Sequence, residues 1–344
     1  MEENQQPENI PNIQNEPASN DNVNFESRID LAPLLAHIND IRQQIETVIV
    51  GQHKMVDQML VAILANGHVL LEGVPGVAKT ITAKLLARTL DIGFSRIQFT
   101  PDLMPSDILG TSVFDLKKSE FEFRKGPIFS NLILIDEINR APAKTQAALF
   151  EVMEERQITI DGSAYIMDTP FLVIATQNPI EQEGTYRLPE AQLDRFLFKI
   201  SIDFPKLAEE ITIIQREHSL QDHGKLENIQ SVLSSSEIRK YQSLVKQVVI
   251  EPQLVEYIAK IVVNTRENGF LYLGASPRAS IAILNAAKGF AALHGRDFVT
   301  PEDIKEAAIP VLQHRVIVAP EREMEGISSS EIIRQILEMV EIPR

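Results

Sequence analysis

The segment 73–80, Gly-Val-Pro-Gly-Val-Ala-Lys-Thr, carries residue types that suit the binding of a phosphate chain. It follows the apolar run 69–71 and precedes a stretch, 81–88, with helical spacing of apolar residues. A strand, a glycine-bearing turn and a helix N-terminus form a phosphate cradle, because glycines let backbone N–H groups approach the oxygens and the helix end adds positive potential. In such a cradle Lys79 is expected to reach the β- and γ-phosphates, and the Thr80 hydroxyl to bind Mg²⁺. The alternative is a chance glycine-rich turn after a strand. The expected nucleotide-contacting residues here are Gly73, Val74, Pro75, Gly76, Val77, Ala78, Lys79, Thr80 and Ile81.

Position 78 departs from the usual pattern of such loops, which places glycine directly before the lysine. The residue here is Ala78. A methyl group is the smallest addition to glycine, and alanine is acceptable wherever φ stays negative. The prediction of a working loop therefore assumes a negative φ at Ala78.

Two acids, Asp136 and Glu137, end the apolar run 132–135. At the carboxyl edge of a parallel sheet, such a pair lies beside the phosphate loop. Asp136 is expected to hold Mg²⁺, mostly through water, and Glu137 to polarise the attacking water as general base. The alternative is a pair of acids that stabilises the start of the next helix.

Three more polar side chains follow later elements. Asn178 ends the next predicted strand, where it is expected to orient the water or contact the γ-phosphate; an Asn-Pro turn is the alternative. Arg195 ends a short helix, and it is placed to enter a neighbouring subunit's nucleotide site as an arginine finger. Its alternative is a surface pairing with Asp194 or Glu190. Arg278 opens a later helix and suits a γ-phosphate contact, although a solvated first-turn arginine is equally compatible with the sequence.

Two further candidates carry weaker signals. Arg140 follows the paired acids and is either a subunit-interface residue or a surface residue. Gly51 and Gln52 either line an adenine pocket or form a simple turn.

These residues need elements that bring them to one sheet edge. Strands alternate with helices up to residue 202, which indicates an α/β layered domain with a mostly parallel sheet. Segments 111–124 and 157–167 are typical of hairpins inserted into that core, and Asp161-Gly162 is a strong turn signal. Beyond residue 205 the pattern predicts helices only. Predicted sheet strands cover 68–72, 96–99, 131–136, 171–176 and 197–200. Predicted helices cover 29–45, 54–66, 80–90, 143–154, 190–196, 207–218, 236–247, 252–264, 277–294 and 301–314.

The pattern divides the chain into three predicted parts. Residues 1–27 form a disordered tail, because the first 25 are rich in Asn, Gln, Glu and Pro and offer little apolar surface to bury. Residues 28–204 form the nucleotide-binding α/β core, and residues 205–344 form an all-helical lid domain.

The composition narrows the class of protein. The chain has 344 residues and a net charge of −15, which disfavours general nucleic-acid binding because affinity there depends on phosphate neutralisation. It has no cysteine, so disulfides and thiolate metal sites are excluded. No apolar run reaches the length of a membrane span, and the N-terminus lacks the features of a secretion signal, so we expect a cytoplasmic protein without membrane insertion.

Taken in their order along the chain, the motifs described above resemble those of the MoxR family of AAA+ ATPases. The resemblance covers residues from about 30 to the C-terminus, and Ala78 is ordinary in that family. The strings that carry it are residues 73–80, Gln-Phe-Thr-Pro-Asp-Leu-Met-Pro-Ser-Asp at 98–107, Asp-Glu-Ile-Asn-Arg-Ala-Pro at 136–142, Ala-Thr-Gln-Asn-Pro at 175–179, Leu-Pro-Glu-Ala-Gln-Leu-Asp-Arg-Phe at 188–196 and Gly-Ala-Ser-Pro-Arg at 274–278.

The resemblance implies a role for each motif. Lys79 and Thr80 match Walker A, and Asp136 and Glu137 match Walker B. The sensor 1, arginine-finger and sensor 2 positions match Asn178, Arg195 and Arg278. The resemblance further implies a P-loop core with two inserted hairpins, the cofactors ATP and Mg²⁺, and a ring that is usually a hexamer.

Three functions are compatible with these motifs. The resemblance favours a chaperone-like ATPase that remodels or matures a protein client together with a von Willebrand factor A-domain (VWA) partner. A motor acting on DNA and a metal-chelatase-type ATPase subunit are the alternatives. The DNA motor needs basic pore hairpins, yet Lys117, Lys118 and Arg124 are accompanied by three acids, and residues 157–167 contain no basic residue. A scaffold that binds ATP without hydrolysing it is disfavoured by the intact acids and arginine.

Overall fold

The computed structural model describes residues 29–179, 186, 188–219 and 228–343. The predicted disordered tail, residues 1–27, lies outside the described residues. The strands are β1 (His68–Gly73), β2 (Phe94–Gln98), β3 (Gly110–Asp115), β4 (Glu120–Lys125), β5 (Leu132–Asp136), β6 (Gln157–Ile160), β7 (Ser163–Ile166), β8 (Leu172–Gln177), β9 (Phe196–Ile202), β10 (Leu271–Leu273) and β11 (Ile317–Val318). The helices are α1 (Ala32–Glu46), α2 (His53–Leu64), α3 (Lys79–Thr89), α4 (Pro105–Leu109), α5 (Ala143–Glu155), α6 (Glu190–Leu193), α7 (Leu207–His218), α8 (Ser235–Lys246), α9 (Pro252–Glu267), α10 (Pro277–Leu293), α11 (Pro301–Leu312), α12 (Pro320–Met324) and α13 (Ser329–Met339).

A five-stranded sheet with the order β2-β5-β8-β1-β9 forms the centre of the fold, and its paired strands are parallel. The predicted α/β class and five-stranded sheet are therefore confirmed. Every residue of β5 is buried, as expected for a strand covered by helices on both faces. In this order β1 and β5 flank β8, so the loops after these three strands meet at one edge.

Two apolar clusters cover the two faces of the sheet. Val69 and Leu71 of β1 point into a large cluster that α1, α2, α3 and α10 help to build. Leu70 points the other way, into a smaller cluster that contains Leu149 and Phe150 of α5. This alternation follows from the two-residue period of a strand, and it packs both faces of β1.

Both predicted hairpins are present, as β3–β4 and β6–β7. The turn residues Asp161 and Gly162 have φ of 51° and 77°, the left-handed pair that a tight hairpin turn requires. The hairpins contact one another, because the rings of Phe123 and Tyr165 lie 4.5 Å apart between centroids. The Ser112 hydroxyl also donates a hydrogen bond to the Asp161 carboxylate.

The part of the chain after residue 205 differs from the helices-only prediction. β10 and β11 form a short antiparallel pair, which is too short to produce a recognisable alternation in the sequence. The helices α12 and α13 were also missed. The predicted helix 190–196 is shorter than expected, because Phe196 instead begins β9 and packs edge-on against Phe150 at 5.8 Å between ring centroids. Within the described residues, no helix combines the length and apolar character needed to cross a membrane.

A buried histidine at the start of β1 makes the fold sensitive to acid. The His68 Nδ1 accepts a hydrogen bond from the Val173 N–H at 3.0 Å, and Nε2 donates to the Met153 carbonyl at 3.2 Å. Burial, assisted by the charge of Arg156, lowers the pKa of His68 from 6.5 to about 3. Below pH 6.5 His68 is therefore protonated in the unfolded chain but stays neutral in the folded chain. The free energy of unfolding consequently falls as pH drops from about 6.5 to about 3.

We expect the free energy of unfolding to fall by about 2 kcal/mol between pH 7 and pH 5 on account of His68. His68→Gln should remove that share of the pH dependence, although lost contacts lower its stability at pH 7. Urea unfolding at the two pH values measures the difference, and His53→Gln serves as the exposed control. An unchanged pH dependence in His68→Gln would contradict the assignment.

Candidate active site

The phosphate loop connects β1 to α3 and has the backbone of an anion-binding nest. Gly76 and Ala78 both have left-handed backbones, with φ of 89° and 63°. Left-handed residues in such a turn direct successive N–H groups toward one concavity. A Cβ added at Gly76 would meet no atom within 4 Å, so the loop leaves open space there. The loop is anchored by the buried side chain of Val77.

The assumption of a negative φ at Ala78 is wrong. Turning the N–H groups inward requires a left-handed residue directly before α3, and this requirement overrides the preference of alanine. A non-glycine residue in this region costs roughly 1–2 kcal/mol. The loop therefore stores backbone strain at its contact with the expected ligand.

Ala78→Gly is expected to raise the free energy of unfolding by about 0.5–1 kcal/mol, because relief of the left-handed strain outweighs the extra freedom of glycine in the unfolded chain. Chemical denaturation measures the change. Ala208→Gly, at an exposed position of the right-handed helix α7, is the matched control and should destabilise the protein. A loss of stability in Ala78→Gly would show that Ala78 carries no strain.

Asp136 lies at the end of β5, where two groups bind its carboxylate. Its Oδ1 accepts a hydrogen bond from the Thr176 hydroxyl at 3.2 Å, and its Oδ2 contacts Arg96 Nε at 2.6 Å. Asp136 is buried, and the guanidinium of Arg96 compensates its charge. These contacts fix the carboxylate at the sheet edge.

Glu137 adopts a strained backbone that directs it away from the path of β5. Its φ is 59° and its ψ is 50°, and its N–H donates to Thr176 Oγ1 at 3.0 Å. The Glu137 carboxylate accepts a hydrogen bond from Gln98 Nε2 at 2.7 Å and contacts Arg140 Nε at 3.1 Å. Arg140 therefore pairs with Glu137 inside its own chain.

Sequence reasoning missed Arg96, Gln98 and Thr176. All three become visible only when β2 and β8 are placed on either side of β5, with Gln98 opposite Asp136. The available signal was polar residues within two predicted strands, 96–99 and 171–176. The sequence does not state which strands are neighbours, so this signal could not be used.

The loop and the acids enclose a cleft of about 410 Å³. Asn178, which follows β8, also lines it, so the structure brings Lys79, Thr80, Asp136, Glu137 and Asn178 together. The residues that line the cleft are Pro75, Gly76, Ala78, Lys79, Thr80, Ile81, Arg96, Gln98, Asp136, Glu137, Thr176 and Asn178.

The charges in this cleft suit a triphosphate with its metal. The Lys79 ammonium donates a hydrogen bond to the Gly73 carbonyl at 2.6 Å. Burial lowers the pKa of Lys79, while the charges of Asp136 and Glu137 act in the opposite direction. The N–H groups of the nest and the ammonium group can donate hydrogen bonds to phosphate oxygens. The Thr80 hydroxyl and the two carboxylates offer the oxygen ligands that Mg²⁺ prefers. The residues present therefore fit both groups.

Gly51 and Gln52 lie outside the lining of this cleft. They precede α2 with left-handed backbones, φ of 69° and 61°. A Cβ at Gly51 would approach the Glu209 carboxylate to 2.6 Å, and Gln52 Nε2 donates to the Asp203 carbonyl at 3.4 Å. They pack against the segment that follows β9, and their contact with an adenine stays a prediction.

Arg195 does not reach the cleft of its own chain. It precedes β9, and Phe196 of β9 pairs with His68 at the start of β1, whereas the phosphate loop follows the end of β1. Since β1 spans six residues, its two ends lie roughly 17 Å apart at 3.3 Å per residue. Arg195 therefore lies at the edge of the sheet opposite its own phosphate loop.

Arg195 and Arg278 share one carboxylate, that of Glu154 at the end of α5. Arg195 Nε lies 3.8 Å from Glu154 Oε2, and Arg278 Nη2 lies 3.6 Å from Glu154 Oε1. The Arg195 guanidinium also donates to the Phe150 carbonyl. We call Arg195 and Arg278 the arginine pair. Arg278 is mostly exposed at a helix N-terminus, where the helix dipole disfavours a cation. The stability of the helix therefore does not explain why an arginine occupies this position.

The alternative pairing of Arg195 with Asp194 or Glu190 is wrong, because the ionic contact of Arg195 is with Glu154, while Asp194 contacts Arg315. Arg315 Nε lies 2.7 Å from Asp194 Oδ1, and the same guanidinium donates to the carbonyls of Asp194 and Phe196. Burial lowers the pKa of Arg315, and Asp194 acts in the opposite direction. Arg315, which follows α11, thus holds the backbone on both sides of Arg195, and sequence reasoning missed this role.

Two family models match the chain. The model described as "ATPase family associated with various cellular activities (AAA)" matches residues 68–198, which include every residue that lines the cleft. The model described as "AAA lid domain" matches residues 263–336, which include Arg278 and Arg315.

Similar proteins span nearly the whole chain. The uncharacterised protein YeaC of Bacillus subtilis is 46% identical over 91% of this chain and 96% of its own length. Chaperone MoxR1 of Mycobacterium tuberculosis is 44% identical over 88% of this chain and 81% of its own. The crystal structure of a proposed ATPase from Cytophaga hutchinsonii aligns with a TM-score of 0.82 and 44% identity, covering 91% of this chain and 98% of that one.

Proposed function

Because this chain belongs to the MoxR family of AAA+ ATPases, we propose that it is a Mg²⁺-dependent ATP hydrolase whose active sites form between neighbouring subunits of a ring. One observation carries the proposal. The cleft with Lys79, Thr80 and the two acids lies at one edge of the sheet, and the arginine pair lies at the other. Repeated head to tail, this arrangement would bring one subunit's arginine pair to the next subunit's cleft, and a head-to-tail contact forms a ring when its rotation closes.

Each residue of the cleft has a defined task in this proposal. The loop N–H groups and Lys79 bind the phosphates, and Thr80 and Asp136 hold Mg²⁺. The metal, when bound, neutralises charge that develops on the phosphate oxygens. Glu137 accepts a proton from the attacking water, and Asn178 orients that water. Arg195 and Arg278 of the neighbouring subunit stabilise the charge on the transferred phosphoryl group.

The contacts of Glu137 bear on how hydrolysis is controlled. Gln98 and Arg140 both contact its Oε2 and so orient the carboxylate, while neither of these contacts occupies Oε1, the oxygen that would accept the proton of a water at the γ-phosphate. Its left-handed backbone directs it to the cleft.

The proposed output is chaperone-like remodelling or maturation of a protein client by a hexameric ring with a VWA-domain partner. The two proposed domains, core 28–204 and lid 205–344, would move relative to one another as ATP is hydrolysed. Support comes from the M. tuberculosis relative, which is named a chaperone. The β3–β4 hairpin adds support, because Leu116 and Phe121 are exposed near its tip and offer apolar contacts to a polypeptide. Nucleic acid is not the proposed partner.

Steady-state hydrolysis of ATP by the purified chain tests this function. We expect hydrolysis that requires Mg²⁺ and stops with EDTA, and a rate per subunit that rises with protein concentration because complete sites need neighbours. Addition of DNA should leave the rate unchanged over a range of salt. Absent hydrolysis at every concentration would refute the function, and a rate per subunit independent of concentration down to the monomer would refute the shared site.

A further inference from the structure

The helix α7 carries an apolar face that no described part of the chain covers. Leu207, Ile211 and Ile214 are 78%, 46% and 60% exposed. These three residues, which we call the α7 ridge, recur at helical spacing and form a continuous strip. Phe204, just before the helix, is also exposed and extends the strip. A soluble protein rarely leaves such a strip in water without a partner.

Contacts on the opposite side of α7 fix its orientation. Glu209 packs against Gly51, and Arg216 Nη1 donates to the Glu46 carbonyl at 3.0 Å. At 100° per residue, the α7 ridge lies about 160° around the helix axis from Glu209 and Arg216. The helix is therefore held on one side, and its ridge points away from the body of the subunit.

The α7 ridge begins beside the nucleotide cleft. Ile202 at the end of β9 pairs with Gly73, the first residue of the phosphate loop. A Cβ at Gly73 would lie 2.9 Å from the Ile202 carbonyl oxygen. Leu207 follows five residues later, so the ridge starts within about 18 Å of the phosphate loop.

A second exposed apolar patch flanks the arginine pair. Ile281 lies one helical turn after Arg278 on α10 and is 60% exposed. We call the exposed side of α10 around Ile281 the α10 patch. The molecule thus has a cleft beside one apolar surface and a cationic pair beside another, on opposite edges of the sheet.

We propose that the α7 ridge packs against the α10 patch of a second copy of this chain, forming the apolar part of the contact that closes the nucleotide site. The inference rests on the proposed ring and adds the surface that holds it together. Charge favours the same pairing, because the acids of the cleft and the nucleotide's phosphates face the partner's arginine pair. The contact is heterologous, since the two surfaces differ, so it can repeat from subunit to subunit, as the proposed ring requires.

Ile211→Glu tests the ridge. Mass photometry with a non-hydrolysable ATP analogue should show rings for the wild-type chain and more than about tenfold weaker assembly for the variant, because a buried carboxylate at the centre of an apolar contact has no partner. Nucleotide affinity of the isolated subunit should be unchanged, which shows that the variant is folded. Val255→Glu, at an α9 residue with the same 46% exposure, should leave the rings intact.

Cross-linking tests whether the ridge and the patch meet. The chain contains no cysteine, so a pair can be introduced without removing native thiols. Cysteines at Ile281 and at Leu207, Ile211 or Ile214 in turn should give, for at least one pair, a ladder of disulfide-linked subunits on oxidation. Each single-cysteine variant should give none, because one thiol on a heterologous contact has no partner. The pair Ile211→Cys with Val255→Cys is the negative control.

The outcomes separate this inference from the function on which it rests. Rings that persist in Ile211→Glu, or no ladder from any of the three pairs, would overturn the inference and leave the ring ATPase standing. The ridge would then face a client protein or residues 1–28 of the chain. A wild-type chain that stays monomeric with nucleotide would overturn both.

Discussion

Glu137→Gln is expected to lower the rate of ATP hydrolysis by about 10²–10⁴ while ATP binding persists. The amide keeps the size of the carboxylate but cannot accept the proton of the attacking water. Binding persists because Lys79, Thr80 and the loop N–H groups, which hold the phosphates in this proposal, are untouched. Single-turnover hydrolysis and the affinity for a fluorescent ATP analogue measure the two effects separately.

Glu256→Gln provides the control for this substitution. Glu256 is an exposed residue of α9 that pairs with Lys260, and its loss should leave hydrolysis unchanged. If Glu137→Gln hydrolyses ATP within a few-fold of the wild-type rate, another group is the base. If it instead loses ATP binding, the carboxylate serves mainly to hold the metal.

The same variant can reveal the client. A ring that binds ATP and cannot hydrolyse it should retain its client, so pull-down with Glu137→Gln and ATP is expected to enrich specific proteins that the wild-type chain releases. Client function that survives in Glu137→Gln would favour a scaffold switched by ATP binding alone.

Arg195→Ala is expected to lower turnover by about 10³–10⁵ with little change in ATP affinity. The separation of effects follows from geometry. Arg195 lies at the sheet edge opposite the cleft of its own chain, so its removal leaves every residue that lines that cleft in place. Its charge is needed at the neighbouring site only while the phosphoryl group transfers, so its loss slows hydrolysis and leaves ATP binding in place. Steady-state hydrolysis and equilibrium nucleotide binding measure the two quantities.

Arg334→Ala, at an exposed position of α13, is the matched control and should keep wild-type turnover. Circular dichroism and intact nucleotide binding would show that Arg195→Ala is folded, since the substitution also removes contacts with Phe150 and Glu154. Near-normal turnover in Arg195→Ala would refute the finger assignment.

The sequence predicted the strands and turns whose conformation is determined by their own residues. Buried strands such as 132–136 are recognisable because a strand covered on both faces must be apolar throughout. The hairpin turn at Asp161-Gly162 was visible because few dipeptides tolerate two left-handed residues. The positions of Lys79, Asp136 and Asn178 at one edge followed from parallel strands that end together.

The rest required contacts between distant parts of the chain. The left-handed φ of Ala78 depends on the path of the loop around its ligand, which the preference of alanine does not reveal. The contact of Gln98 with Glu137 depends on strand order, and the shared carboxylate of the arginine pair joins α5, the residue before β9 and α10 across more than one hundred positions. Residue types indicated that Arg195 and Arg278 were functional candidates, but not that they lie together.

Mixing two inactive variants measures whether one hydrolysis site draws on two chains. Lys79→Ala lacks the ammonium group that binds the phosphates but keeps Arg195, and Arg195→Ala keeps its cleft but lacks the arginine. In rings assembled from equal amounts of both, about a quarter of the contacts join an intact cleft to an intact arginine. Hydrolysis should therefore reappear on mixing, well above the sum of the separate variants. Mixed rings that form and stay as inactive as either variant alone would show that each chain must complete its own site.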